Sequence, residues 1–399
     1  MVKIIPLLKL KNVCISITDC PHSSPTWVDH GIIAIRNYNL VDGKVDFSQA
    51  SYVTENEYKA RIRRAVPEEG DIVLSREAPI GNIGLIPPGL KCCLGQRVVL
   101  LKVDKTICYP EYLVYILMSR EIQHQMKHSE GTGTTVSNLR IQHIENIEIN
   151  LPDLEVQKRF LSIISPIDSL IIALSSINDN LLATAKTLFK NSLDDESISS
   201  VVISDVCSSV TDGVHNTVED DPEGCALLLS CKNIKDGQLI IGHDERTISR
   251  QTFDKLRKRT KLAIGDILLT SVGTIGETYL ILDEPDNIEF QRSVALIKPD
   301  RGKVSPEYLY LAINHVNESI INAAHGAVQQ CLFINDVCSI EVPLIGKESI
   351  EKLTNSVRPL FTQINQNRKE SQHLASIRDY LLPKLMSGEI DVSTLEIPN

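Results

Sequence analysis

The stretch from Leu154 to Leu193 places apolar residues at Phe160, Ile164, Ile167, Ile171 and Leu174, and again at Leu181, Ala185 and Leu188. The steps alternate between four and three, the seam of a coiled coil rather than the broad face of a globular helix. The same seam returns 193 residues later (353 − 160 = 193) as Leu353, Val357, Leu360, Ile364, Leu374 and Leu381. One helix with such a seam exposes it to water, whereas two in one chain can bury each other. The duplication therefore predicts a body built on a helix pair, each helix ~60 Å long at 1.5 Å per residue. Asn178, with Asn367 and Ser371 opposite, is the polar interruption expected to fix register and direction. Pro166 and Pro359, also 193 apart, predict a break or kink near the start of each helix.

The repeat extends beyond the helices. VCISITDCPH (13–22) matches VCSSVTDGVH (206–215), GDIVL (70–74) matches GDILL (265–269), and Gln96-Arg97 matches Gln291-Arg292. PEYLVYI (110–116) matches PEYLYLA (306–312), and NIEINL (146–151) matches SIEVPL (339–344). Offsets that stay so nearly constant imply one fold used twice, with small loop changes. Within each copy, β-branched runs are punctuated by Asp-Gly and Gly-Asp turns, and Pro110 and Pro306 suit the first turn of a helix. The expected segments are a lobe over 1–152, a helix over 153–195, a lobe over 196–345, a helix over 346–392 and a tail over 393–399. The fold class is α+β: two similar mixed α/β lobes separated by two long antiparallel coiled-coil helices, related as a pseudo-two-fold internal repeat.

Composition narrows the class. Apolar residues make up 42% of the 399, enough for sizeable cores. The N-terminal residues lack a signal-peptide layout, and no apolar run reads as long enough for a bilayer, so a soluble cytoplasmic protein without a membrane partner is expected. Ten cysteines without paired metal spacing read as reduced thiols. The net charge of −10 weighs against a nucleic-acid binder without excluding one, because local basic stripes and partner subunits decide affinity.

Motifs for intrinsic chemistry are missing. Gly346-Lys347-Glu348-Ser349 lacks the preceding glycine and the adjacent Ser/Thr of a phosphate loop. Asn150-Leu151-Pro152-Asp153 is not the Asn/Asp-Pro-Pro-aromatic run of a base-aminating methyltransferase. Neither Pro152-Asp153 nor Pro285-Asp286 opens a nuclease core. No catalytic residue, metal site or cofactor is expected, and the chain reads as a non-enzyme.

Two sets of residues suit binding instead. A basic stretch recurs at corresponding positions, as Arg61, Arg63 and Arg64, and as Lys255, Arg257, Lys258 and Arg259 with Lys261. It suits phosphate contact, or else a solvated charged face. The second set lies in turns: His22 beside Thr18-Asp19, His215 beside Thr211-Asp212, then Thr134, Thr135 and Ser137, and Gln329 with Gln330. Gln and Asn can read adenine edges and Arg guanine edges, so Arg97 and Arg292 join the set. The same residues also suit turn capping, for Asp19 and Asp212, and strand-end salt bridges, for Arg97 and Arg292.

Two lobe-plus-helix repeats, GDILL followed by a glycine turn, LPDLEVQKRF opening the first long helix and LLPKLMSGEI (381–390) closing the second resemble the specificity subunits of type I restriction–modification systems. The resemblance runs from the first lobe to Ile390. It implies that 1–152 and 196–345 are target recognition domains, each reading one half of a split, asymmetric site in double-stranded DNA. It implies that the helices space the lobes and dock two methyltransferase subunits, with restriction subunits adding to that core. Val328-Gln329-Gln330 stands where the first copy has Thr135-Val136-Ser137, so the lobes are expected to read different bases. A bifunctional enzyme, a two-lobed scaffold without DNA contact, and the specificity subunit of a methyltransferase-only system are the competing readings.

Overall fold

Alternation of apolar side chains along strands, and their recurrence every three to four residues along helices, is realised twice in the computed structural model, which describes residues 6–128, 138–194, 198–215, 217–242, 245–326 and 330–392. The chain divides into two units, Met1–Ser169 with Leu374–Asn399, and Leu170–His373. Each therefore takes one lobe and a part of both long helices, a division that cuts across the five segments expected above.

In the first unit the elements are β1 (Leu7–Lys9), β2 (Cys14–Asp19), β3 (Trp27–Val28), β4 (Ile32–Ile35), β5 (Leu40–Val41), β6 (Gly43–Val45), β7 (Tyr52–Val53), α1 (Glu55–Arg61), β8 (Ile72–Arg76), β9 (Ile80–Leu85), β10 (Cys92–Leu94), β11 (Val98–Val103), α2 (Pro110–Met118), α3 (Arg120–His128), α4 (Ile141–Glu145) and β12 (Glu148–Asn150), followed by the start of α5 (Leu154–Asp194). A six-stranded sheet has the order β2-β11-β8-β9-β6-β5, and a second sheet runs β10-β4-β7-β3. Strands β8 and β11 are covered on both faces. Ile72, Leu74, Val99 and Leu101 point into the core shared with α2 to α5, and Val73, Val98 and Leu100 into a second core with Ile35, Leu40 and Ile86. That explains their continuous β-branched and leucine runs.

The second unit carries β13 (Ser199–Val202), β14 (Cys207–Asp212), β15 (Ala226–Leu229), β16 (Ile234–Lys235), β17 (Gln238–Leu239), β18 (Thr247–Ile248), α6 (Arg250–Thr260), β19 (Ile267–Thr270), β20 (Thr278–Leu280), β21 (Ile288–Phe290), β22 (Val294–Pro299), α7 (Pro306–His315), α8 (Asn317–Asn322), α9 (Ile334–Ser339), β23 (Glu341–Leu344) and the start of α10 (Lys347–Met386). Its sheet order β14-β22-β19-β20 corresponds to β2-β11-β8-β9, and β18-β15-β21 to β7-β4-β10. The two-faced strands recur as well: Ile267, Leu269, Ala295 and Ile297 face the helices, and Leu268, Val294 and Leu296 the other core.

Helices α5 and α10 run 41 and 40 residues without interruption through Pro166 and Pro359, so the expected breaks are absent. Both prolines are exposed. Each proline removes one i→i−4 bond, and with its ring on an exposed face it does so without opening a buried core. In the first unit the opening turns of α5 share a core with the closing turns of α10: Phe160, Ile164 and Leu385 are buried, with Leu381 against them. In the second unit Ala185 and Phe189 share a core with Leu353, Val357, Phe361 and Ile364, flanked by Leu181, Leu188 and Leu360. Within each unit the two segments thus run antiparallel. Ile167, Ile171, Leu174 and Leu374 are only half-buried, so the apolar seam is thinner there than the sequence suggests. Asn367 Nδ2 donates to Asn178 Oδ1 at 2.8 Å, and Gln363 Nε2 to Asn367 Oδ1 at 2.8 Å.

The expectation that no segment is long and apolar enough for a bilayer is overturned: α5 is, by length and composition, with a mean hydropathy of 1.9 over its most apolar window. Side-chain pairing argues for a helix partner. Asp168, within α5, accepts from Arg378 Nη1 of α10 at 3.1 Å and from the Tyr115 hydroxyl.

Candidate nucleic-acid interface

At one end of the first unit's large sheet, the last residues of β2 and β8 lie beside the start of β11. Asp19 closes β2, Arg76 closes β8, and Arg97 precedes β11. Arg76 Nη1 donates to Asp19 Oδ2 at 2.5 Å and its Nη2 to Asn138 Oδ1 at 2.9 Å. His22 Nε2 lies 3.3 Å from the same Asp19 oxygen, with its ring exposed. Arg97 has a left-handed backbone (φ 65°) and sits 3.7 Å from Glu77. Strained non-glycine backbone of this kind clusters at binding sites. Gln96 Nε2 donates to Ser24 Oγ at 3.1 Å. His22 and Arg97 are therefore brought together, by partners that the sequence did not reveal: Arg76, Glu77 and Asn138.

The second unit repeats the placement with other chemistry. His215 pairs with Asp212 at the end of β14, and Arg292 is exposed just before β22. Thr270 and Ser271 stand where the first unit has Ser75 and Arg76, so the side chain that pairs with Asp19 has no counterpart at that position. Val214, His215, Thr217, Val218, Leu228, Arg246, Gln291 and Arg292 line a cleft of about 420 Å³. Arg246, unmarked in the sequence, donates to Asp220 Oδ1 at 2.6 Å and to the Val218 carbonyl at 2.7 Å. Gln330 is exposed next to Cys331, whose backbone bridges to His325 and to Val272. Thr134, Thr135, Ser137 and Gln329 lie outside the described residues.

The basic stretches divide. Arg61 is buried, and its guanidinium donates to the carbonyls of Leu94 (2.7 Å), Gly95 (2.7 Å), Ser23 (3.2 Å) and Pro21 (3.3 Å) and to Glu57. Arg257 donates to Glu289 Oε1 at 2.5 Å and to the carbonyls of Pro285, Ile288 and Leu262, stacked 4.9 Å over Phe253. These two arginines hold loops rather than offer charge, and they leave the contact set. Their binding partners come from loops far along the chain, which a local charge run cannot disclose. Arg259 is exposed but donates to the carbonyls of Asp212 and Gly213, anchoring the loop that carries His215. Arg63, Arg64, Lys255 and Lys258 remain exposed, as phosphate contacts require.

His124 and His128 stand four apart in α3. Among the described residues no group of three or more His, Cys, Asp or Glu could hold a metal ion.

Comparison with known proteins fits this arrangement. Residues 32–183 match the family model described as type I restriction modification DNA specificity domain. The MjaIX specificity subunit of Methanocaldococcus jannaschii is 26% identical over 377 residues, covering 86% of this chain and 82% of that protein. The EcoBI specificity subunit of Escherichia coli is 27% identical over 184 residues, covering 45% of this chain and 38% of that one. The crystal structure of a type I restriction-modification S subunit from M. genitalium shares the fold, with a TM-score of 0.54 at 15% identity over 95% of each chain. Residues 32–183 thus match a type I restriction modification DNA specificity domain, and the chain as a whole resembles the specificity subunits of type I restriction–modification systems.

Proposed function

We propose that this chain is the DNA sequence-specificity subunit of a type I restriction–modification complex. The lobes over 1–152 and 196–345 act as target recognition domains, each reading one half of a bipartite, asymmetric site in double-stranded DNA. The helices over 153–195 and 346–392 pair as an antiparallel coiled coil, dock two methyltransferase subunits and set the gap between half-sites. Restriction subunits join that core, and the chain itself performs no chemistry.

The observation that carries this reading is the similarity to a specificity subunit over 377 residues, more than either unit alone can supply. Two further features support it. The matching sheet ends bear different polar side chains, Arg76 and Asn138 against Ser271 and Cys331, as two unlike half-sites require. Leu170, Ile172 and Ile177 of α5 are exposed, an apolar helix surface suited to a protein partner. His22, Arg63, Arg64 and Arg97 in one lobe, and His215, Lys255, Lys258, Arg259, Arg292 and Gln330 in the other, are the proposed DNA contacts, together with Thr134, Thr135, Ser137 and Gln329. The net charge of −10 is then offset by cationic surface on the partners.

Methylome sequencing of the host with and without this gene is the test. A split methylated motif should vanish on deletion; if every motif persists, the chain is not a specificity subunit.

A further inference from the structure

One arginine in the first unit differs from all those above. Arg36 follows β4, and its guanidinium lies between two rings, 4.9 Å from the Trp27 centroid and 4.7 Å from that of Tyr38. Both rings are partly open to solvent, at 39% and 37%. Its Nη1 donates to the Tyr38 hydroxyl at 3.0 Å, and that oxygen lies 2.7 Å from Ser51 Oγ. The Arg36 stem crosses Gly95 so closely that a methyl group there would sit 2.6 Å from its Cγ. It is therefore next to Gln96 and Arg97. Asn37, the following residue, donates to the Ala78 carbonyl at 2.5 Å, tying this turn to the loop after Arg76.

The guanidinium is thus fixed in plane and direction, yet among the described residues it meets no carboxylate. Nε is buried without a partner among the described residues and so is closed to a base, which leaves the terminal Nη1 and Nη2 edge, with Nη1 giving one of its two hydrogens to Tyr38. A phosphate contact needs only charge, which the unstacked Arg63 and Arg64 supply. A preset planar fork is what bidentate recognition of guanine O6 and N7 demands, and locking it in advance lowers the ordering cost of binding. The same turn in the second unit begins at Ser230 (230 − 36 = 194), whose backbone N–H donates to Asn233 as that of Arg36 does to Asn39. A serine there offers no fork.

We propose that Arg36, held between Trp27 and Tyr38, is a specificity-determining residue that reads a guanine in the half-site taken by the first lobe. This rests on that sheet end being the DNA interface. The test is methylation by the complex reconstituted with its methyltransferase subunits, on a DNA library randomised across both half-sites, for wild type, Arg36→Ala and Arg36→Gln. The expected result is a wild-type requirement for guanine at one position that falls roughly 10- to 100-fold in both variants, with the other half-site and the gap unchanged. The Gln variant should also gain preference for adenine at that position. Trp27 is the only tryptophan of the chain, so a shift of its emission in the isolated full-length variants checks that the stack was removed. An unchanged motif with uniformly weaker methylation and a salt slope flattened by about one would make Arg36 a phosphate contact and overturn the proposal. Unchanged motif and slope would reduce the stack to packing and overturn it too. A wild-type complex that methylates no site would overturn the specificity-subunit reading along with it.

Discussion

Arg257 and Lys258 are neighbours in the sequence and opposites in the structure. The Glu289 carboxylate is wholly buried against Arg257 and Thr260. Arg257→Ala should therefore strand a buried charge and cost about 3–5 kcal/mol in urea unfolding. Lys258→Ala should stay within about 0.5 kcal/mol. In DNA binding by the assembled complex the order reverses. Replacing Lys255 and Lys258 together should flatten the salt slope by about one for each phosphate no longer neutralised, without altering sequence preference. A slope that does not move would make both lysines plain solvated surface. The thiols sort by burial in the same way. Burial pushes the Cys92 thiol up to about 12 and that of Cys93 up to about 11, so both stay protonated at neutral pH. Cys225 is exposed and should be alkylated before either in the native chain, as peptide mass mapping would show.

At the scale of elements, the long helices were legible because periodicity over forty residues leaves few alternatives. The finer packing was not. Phe189 and Phe361, one residue beyond Leu188 and Leu360, fill the deeper positions, because both helices also pack there against α7 of the second lobe: Phe189 lies 5.4 Å from Tyr308, and Phe361 lies 5.7 Å from Tyr310. Ile364 is 3% exposed, whereas Ile171 is half-buried. Ile364→Asp should therefore cost several kcal/mol, on the order of 3–5, and Ile171→Asp clearly less. Equal losses in thermal denaturation would mean that the seam is uniform after all. The Trp27–Arg36–Tyr38 stack escaped the sequence for a different reason. Only Trp27 lies in a strand, β3, whose two residues are too few to show any alternation, and Arg36 and Tyr38 sit in the turn after β4. The turn residues His22 and Arg97 were found by their repetition in the second copy, while Arg76, present in one copy only, was not.

For the whole molecule, the proposed function makes helix length a measured quantity. If the paired helices set the gap between half-sites, adding seven residues to each, after Leu174 and after Asn367, lengthens the pair by ~10 Å while preserving the seam. The insertions leave Asn178 and Asn367 on the same side of both junctions, so their hydrogen bond can persist. Ten ångströms is about three base pairs of B-DNA at ~3.4 Å each. Methylation of a library with randomised gaps should then favour a gap about three base pairs longer, with both half-site sequences unchanged because the lobes are untouched. Affinity should fall, since three base pairs also turn the duplex by roughly a quarter of a revolution, which the lobes would not follow. The DNA would have to twist, and twisting costs energy whatever its sequence. A lengthened protein that keeps the original gap would mean that the partner subunits, not these helices, hold the recognition domains apart. One that changes its half-site bases would mean that base reading extends into the helices.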